Sequence, residues 1–299
     1  MKLLGKYKNG NYNVMIFDDG TKIRENKLDN LTPEFPENID LKITNYCDMN
    51  CPMCHEDSNT SGKHGDILNA KFIDSLRPYT EISCGGGNLF SHPNLIRFLY
   101  KLKQKNIIVN ITVNLKHFIE NYDIIKVLSE VKLIYGVGVS VPNDASMEDL
   151  MLIKTIDNAV VHVINGIVSK KLLVKLNTIK GLNLLILGYK DIRRGKSFKS
   201  RNITGLNANM NFLYADLENL IKNSKFRVIS FDNLALEQLN VKRLLKEEPW
   251  EEFYMGNDGS YTMYIDLVEN KFAKSSTSLK RYDITDNIVD MFNVVRNEV

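Results

Sequence analysis

The chain is sparing with several residue types, and each scarcity excludes something. It has four cysteines, seven prolines and one tryptophan in 299 residues. Three of the cysteines, Cys47, Cys51 and Cys54, are packed too tightly to form a disulfide framework. A cluster of this kind in a reducing compartment binds metal, so a cytoplasmic location is expected. No apolar run approaches the ~18 residues that span a bilayer, so no membrane association is expected. Met1–Lys8 is basic but lacks an apolar core, which argues against a secretion signal. The formal net charge of +3 is too small to imply a nucleic-acid partner by itself. Internal repeats and low-complexity tracts are missing as well. What the chain does have is 43% hydrophobic residues, enough to fill one large α/β core or two small ones.

The order of its segments suggests three parts. In residues 1–36, Tyr12–Phe17 and Thr21–Arg24 are flanked by Asn9-Gly10 and Asp19-Gly20, dipeptides that tolerate the positive φ of tight hairpin turns; this predicts a β-meander. Residues 37–239 alternate short β-rich runs with helical stretches. The runs are Ile39–Thr44, Glu81–Cys84, Ile107–Val113, Leu133–Val141, Val160–Ile164, Leu182–Leu187 and Phe226–Phe231. Helices are expected over Ala70–Leu76, Asn94–Gln104, Leu115–Leu128, Met147–Ile156, Lys170–Asn177 and Met210–Lys222. That rhythm predicts a parallel sheet with right-handed crossovers, either a partial (β/α)6 TIM-like barrel or an open doubly wound sheet. Residues 240–299 break the rhythm and read as a small α+β extension, with a hairpin around Glu269-Asn270 and a terminal helix over Ile284–Arg296.

The chemistry is concentrated in two loops. Asn45-Tyr-Cys-Asp-Met-Asn-Cys-Pro-Met-Cys-His55 has the spacing C-x3-C-x2-C and follows the first parallel strand. Three thiolates can hold three irons of a cubic iron–sulfur cluster and leave the fourth iron open to a ligand. Structural zinc is the alternative. It needs a fourth protein ligand, for which only His55, adjacent to Cys54, or Cys84 on the next strand is at hand. The second loop, Cys84-Gly-Gly-Gly-Asn-Leu-Phe-Ser-His-Pro93, ends the second strand. Its glycines, Gly85, Gly86 and Gly87, allow a ligand close approach to the main chain. In a barrel both loops fall at the C-terminal ends of strands, the reactive face.

Together these loops resemble the radical S-adenosylmethionine (SAM) superfamily. The family signature is C-x3-C-x-φ-C, with Met53 at the φ position here, followed by a Gly-Gly-Glu-Pro motif after the second strand. Here that motif is Gly86-Gly87-Asn88-Leu89, so Asn88 replaces the usual Glu. The family uses this segment to hold the amino group of SAM; a neutral amide accepts that bond without charge assistance. The resemblance also implies SAM contacts from Ser140, Asn165 and the backbone at Leu187-Gly188, and it covers roughly residues 37–235. It implies one [4Fe-4S] cluster on Cys47, Cys51 and Cys54, SAM on the open iron, and reductive cleavage to a 5′-deoxyadenosyl radical. It further implies an external electron donor of flavodoxin or ferredoxin type and an oxygen-sensitive active form.

The remaining candidates concern the substrate. Cys84 reads either as a buried apolar residue or as a lumen thiol that donates hydrogen to a substrate radical. The segment Tyr189–Arg201 has six basic residues and one acid. It reads as a solvated loop or as a grip on an anionic substrate, with Arg193, Arg194 and Lys196 as its contacts. A peptide or protein is the favoured substrate. The alternatives are a nucleotide or nucleic acid, and a non-catalytic metal-binding protein of the same fold.

Overall fold

The computed structural model describes residues 1–26 and 30–298. Its elements run β1 (Leu3–Asn9), β2 (Tyr12–Phe17), β3 (Lys22–Glu25), β4 (Asn38–Thr44), β5 (Glu81–Gly86), α1 (Leu95–Gln104), β6 (Ile108–Asn114), α2 (Leu115–Glu120) and α3 (Tyr122–Glu130). They continue with β7 (Gly136–Ser140), α4 (Met147–Lys154), β8 (Ala159–Ile164), α5 (Lys170–Thr178), β9 (Asn183–Leu187), α6 (Arg194–Asn223), β10 (Val228–Phe231) and α7 (Asn233–Leu239). The last are α8 (Glu247–Phe253), β11 (Thr262–Asp266), β12 (Lys271–Ala273), β13 (Tyr282–Asp283) and α9 (Ile288–Arg296). Strands β1–β3 form their own antiparallel sheet. The others form one sheet in the order β10-β9-β8-β7-β6-β5-β4-β11-β12-β13. Its ends do not pair with each other, so it is an open, partial barrel, as expected.

Period-2 patterning divides the sheet into two faces. Ile39, Leu41 and Ile43 of β4, Ile82 of β5, Val109, Ile111 and Val113 of β6, and Val161 and Val163 of β8 join the helices in one apolar core. The alternate positions are polar or small: Asp40 and Lys42, Ser83 and Gly85, Asn110 and Thr112, Gly136 and Gly138, His162. These face the lumen. The β2–β3 turn, Asp18-Asp19-Gly20, meets the first residues of the strands there, and Asn158 Nδ2 donates to Asp18 O at 2.7 Å.

Buried charge ties the small sheet to the barrel. Glu37, at the entry to β4, takes Arg24 at 2.9 Å, Lys22 at 3.3 Å and the Tyr12 hydroxyl at 2.5 Å. Lys22 also meets Glu81 at 2.5 Å. Burial pushes the Glu37 carboxyl up, but Lys22 and Arg24 outweigh it and hold it below its ordinary value.

Some elements differ from expectation. Strand β1 adds a first strand to the meander, ahead of the Asn9-Gly10 turn. The helix expected over Leu115–Leu128 is split at Asn121, which leaves helical geometry at φ −117°, ψ 19°. The supposed loop through Arg201 is helical from Arg194 onward, in a helix of 30 residues with a non-helical residue at Asn202. Strand β11 runs parallel to β4, pairing Thr262 with Asn38 and Asp266 with Lys42, so the C-terminal hairpin continues the main sheet.

Candidate active site

The cysteine loop leaves β4 and folds back on it. Asn45 N donates to Lys63 O at 2.8 Å, Cys47 N to Asn59 O at 2.9 Å, and Gly65 N to Ile43 O at 2.9 Å. Gly62 must lack a side chain, because a Cβ there would lie 2.0 Å from Asn45 O. The Asn59–Gly65 stretch is therefore bound to the strand end. His64 Nδ1 meets Thr44 Oγ1 at 2.8 Å, and buried His92 meets Gly65 O at 2.9 Å.

The glycine loop lies against this hairpin. Gly87 N donates to Thr44 O at 2.9 Å and Asn88 N to Tyr46 O at 2.7 Å. Gly86 has φ +118°, a conformation favouring glycine. A Cβ on Gly87 would lie 2.0 Å from Tyr46 O. Two motifs 40 residues apart are thus joined main chain to main chain at the C-terminal ends of β4 and β5. All four cysteines are free; Cys47 is buried, while Cys51 and Cys54 are half-buried. Among the described residues, no three His, Cys, Asp or Glu side chains are gathered in metal-holding geometry. Burial pushes the Cys47 and Cys51 thiols up, joined at Cys47 by Asp48 and then Cys54, and at Cys51 by Cys54 and Cys47. The loop therefore brings the sulfurs near one another without converging them.

Asn88 has local partners. Its Oδ1 accepts from Phe90 N at 3.1 Å, capping a short 3₁₀ turn, and its Nδ2 donates to Asp48 Oδ1 at 3.3 Å. Asp48, next to Cys47, also meets His117 Nε2 at 2.6 Å and Lys116 Nζ at 2.7 Å. Lys116 and His117 hold its carboxyl well below the usual range. This contact pins the loop to α2, and motif reading missed it because Asp48 and His117 are 69 positions apart.

The other side of the loop is held by the basic segment. Arg194 Nε pairs with Asp57 at 2.9 Å, its Nη1 donates to Asn50 Oδ1 at 2.6 Å, and its Nη2 donates to the Ser58 carbonyl. Arg193 pairs with Glu56 at 3.2 Å and Glu269 at 3.4 Å. At φ +49° Arg193 is strained for a non-glycine residue, and that geometry starts α6 directly at the loop. Arg193 and Arg194, expected as substrate contacts, are here paired with Glu56, Glu269 and Asp57. Lys196 is exposed on the first turn of α6.

Beneath the loop, buried Lys42 meets Glu56 at 2.8 Å and Asp266 at 3.1 Å, and His55 meets Glu56 at 3.3 Å. Burial pushes the Glu56 carboxyl up, but His55 and Lys42 outweigh it and hold it well below its usual value. A paired network of this kind fixes geometry more than it adds stability.

The remaining predicted positions divide by face. Ser140 ends β7 on the lumen side. Asn165 is buried just past β8; its Nδ2 donates to Gln238 at 3.0 Å, while its Oδ1 has no partner among the described residues. A buried acceptor without a donor fits a ligand that supplies one. Gly188 N is taken by Asp232 at 2.8 Å, and a Cβ there would strike Leu234 at 2.4 Å, so the backbone can offer a ligand only its carbonyl. Gln238, missed in the sequence, also bonds Tyr189 N and O, at 2.9 Å each. Tyr189 donates its hydroxyl to Gly195 O at 2.6 Å and acts as a packing residue. Met53 sits half-buried on the loop. Gly85 faces the lumen with open space where a Cβ would be. Cys84 points the other way, into the helix-side core at 0% exposure, and burial pushes its thiol up to about 12. Strand alternation puts Ser83 and Gly85, not Cys84, on the lumen face, which favours the reading of Cys84 as a buried apolar residue.

The architecture is similar to that of SuiB from Streptococcus suis. The SuiB structure bound to S-adenosylmethionine matches with a TM-score of 0.57 at 13% identity, over 89% of this chain and 69% of SuiB. The SuiB structure bound to precursor peptide SuiA matches with a TM-score of 0.56 at 13% identity, over 89% and 68%. At this identity the likeness establishes the fold. No family model and no curated protein matches the sequence.

Proposed function

We propose that this chain is a radical SAM enzyme that modifies a peptide or protein. The observation that carries the reading is the main-chain junction of the two loops, Gly87 to Thr44 and Asn88 to Tyr46, at the strand ends of a partial barrel. Cys47, Cys51 and Cys54 would hold a [4Fe-4S] cluster; thiolates are its ordinary ligands and all three are free. When bound, the cluster and SAM supply a 5′-deoxyadenosyl radical that abstracts hydrogen from substrate. An external donor of flavodoxin or ferredoxin type would provide the electron.

The chain's own residues position and enclose. Arg194 and Arg193 clamp the cysteine loop from α6, and Asp48 ties it to α2. Asn165 Oδ1 and the Gly188 carbonyl face the SAM site as acceptors, and Ser140 adds a hydroxyl. Asn88 retains one acceptor lone pair beside Asp48, so the lost Glu charge is replaced by a neighbouring carboxylate that already meets Lys116 and His117. A peptide substrate is supported by the shared fold with a protein seen bound to a precursor peptide. The nucleotide alternative loses support because Arg193 and Arg194 are committed within the chain; of that trio, Lys196 is the one without an ion pair among the described residues.

Anaerobic reconstitution with iron and sulfide, followed by dithionite and SAM, tests the proposal. The expected product is 5′-deoxyadenosine, lost together with the bound iron when any of Cys47, Cys51 or Cys54 is replaced by Ala. Iron binding without SAM cleavage would support the non-catalytic alternative.

A further inference from the structure

The lumen contains a cavity of about 280 Å³, at the small end for ligand sites. It is hollow because the inner face of β7 is glycine. Gly136 and Gly138 alternate with Val137 and Val139, which enter the helix-side core. Each glycine is covered from a neighbouring strand. A Cβ on Gly136 would lie 2.8 Å from Asn110 Oδ1, and one on Gly138 would lie 2.1 Å from His162 Cε1. The His162 ring therefore rests against the Gly138 backbone, where any side chain would displace it.

His162 occupies a distinctive level. In the parallel register it stands beside Ser140, which in turn stands beside Asn114. Ser140 is the residue expected to touch SAM, so His162 lies where the cofactor space gives way to the cavity below. Its Nδ1 is buried without a hydrogen-bond partner among the described residues, and the ring lines the cavity. A buried polar atom left unpaired is costly, and a bound hydrogen-bonding ligand would relieve that cost. Burial lowers the imidazole to about 4, so it is neutral at physiological pH.

The charged groups of the rest of the lining are acids that already have partners. Glu81 is paired with Lys22, and the Asp18 and Asp19 carboxylates accept from the backbone amides of Lys2 and Thr21. Ser83, Thr112 and Ser230 add hydroxyls. Asp40 also faces the lumen but does not line this cavity. A carboxylate would lose its hydration here without gaining a counter-charge, and an ammonium would have to compete with Lys22 and the backbone amides that already hold these acids.

Building on the radical SAM reading, we propose that His162 recognises the substrate residue that enters the lumen, and that this residue carries a neutral hydrogen-bonding side chain: a hydroxyl, amide or indole. The size of the cavity suits one side chain presented by an extended peptide. Gly138 is the supporting position that keeps the imidazole in place.

The test is a binding measurement that does not depend on SAM cleavage. The full chain, labelled with ¹⁵N-histidine, is titrated with N-acetyl amides of serine, asparagine and tryptophan, and with those of glutamate and lysine. The His162 ring nitrogens are followed by NMR. The expected result is that at least one neutral probe shifts the His162 signal and binds at least tenfold more tightly than either charged probe. His162→Phe and Gly138→Ala should each weaken that binding at least tenfold, while His162→Asn, which keeps donors and acceptors, should lose less. The proposal is overturned if no neutral probe moves His162, if a charged probe binds equally well, or if Gly138→Ala and His162→Phe both bind normally. Failure of the radical reading would show separately, as absence of 5′-deoxyadenosine from the unmodified enzyme.

Discussion

Replacing Arg194 by Ala should release the cysteine loop from α6. The guanidinium serves three loop residues: the Asp57 carboxylate at 2.9 Å, the Asn50 side chain at 2.6 Å and the carbonyl of buried Ser58. A hydrogen bond to a charged group is worth ~1.5–3 kcal/mol, and a buried carbonyl left without a donor costs ~1–3 kcal/mol. The Arg194 side chain is 22% exposed, so water screens part of the Asp57 pair and the lower values apply. The sum is about 3 kcal/mol, or roughly a hundredfold in the loop-opening equilibrium. Hydrogen exchange over residues 47–59 reads this directly. Protection there should fall about a hundredfold while the strands of the core stay unchanged, and reconstituted iron should be lost faster to a chelator. Lys196→Ala, on the exposed side of the same helix turn, should change neither. The reasoning is refuted if the Arg194 variant keeps loop protection and iron but loses affinity for peptide or anionic ligands. The guanidinium would then face the substrate.

Three further outcomes are expected. Gly87→Ala brings a Cβ to within 2.0 Å of Tyr46 O and breaks the junction of the two loops; urea unfolding should show a loss of about 3 kcal/mol, and iron uptake should fall with it. Cys84 should resist thiol reagents at pH 8 in the folded protein and react only after unfolding, since burial pushes it up to about 12; Cys84→Ala should convert substrate normally, and a normal-stability variant that cleaves SAM but forms no modified product would restore the hydrogen-donor role. Glu37 is held below its ordinary value, so its contribution to stability is complete above about pH 4.5 and is lost as pH falls through its folded pKa. Glu37→Gln should therefore be less stable at neutral pH and show a shallower loss in acid by thermal unfolding, and an unchanged acid limb would count against the buried pairing.

Motif reading recovered the parts of the site that are local in the chain. The cysteine spacing, the glycine run and the strand preceding each loop were visible because they depend on near neighbours and on a period of two. The helix start at Arg194 was not visible. A basic stretch resembles a solvated loop until the acids it meets, Glu56, Asp57 and Glu269, are known to lie opposite. Asp48 with His117, and Gln238 with Asn165, were hidden for the same reason, since each pair is separated by 69 or more positions. Cys84 depended on the register at the end of β5, which alternation could not settle until Ile82 was seen in the helix-side core.

By itself, then, the sequence determined a strand–helix repeat, an open-barrel class and a three-cysteine loop beside a glycine loop. These follow from local backbone preference and hydrophobic period, which each segment carries within itself. Only the tertiary structure decided where the charges of the basic segment go, which face each strand residue presents, and that Gly138 of β7 leaves room for a neutral histidine beside Ser140. Those outcomes depend on which distant segments share a low-dielectric space. There a charge must find its partner, and a missing side chain becomes the place a neighbour fills.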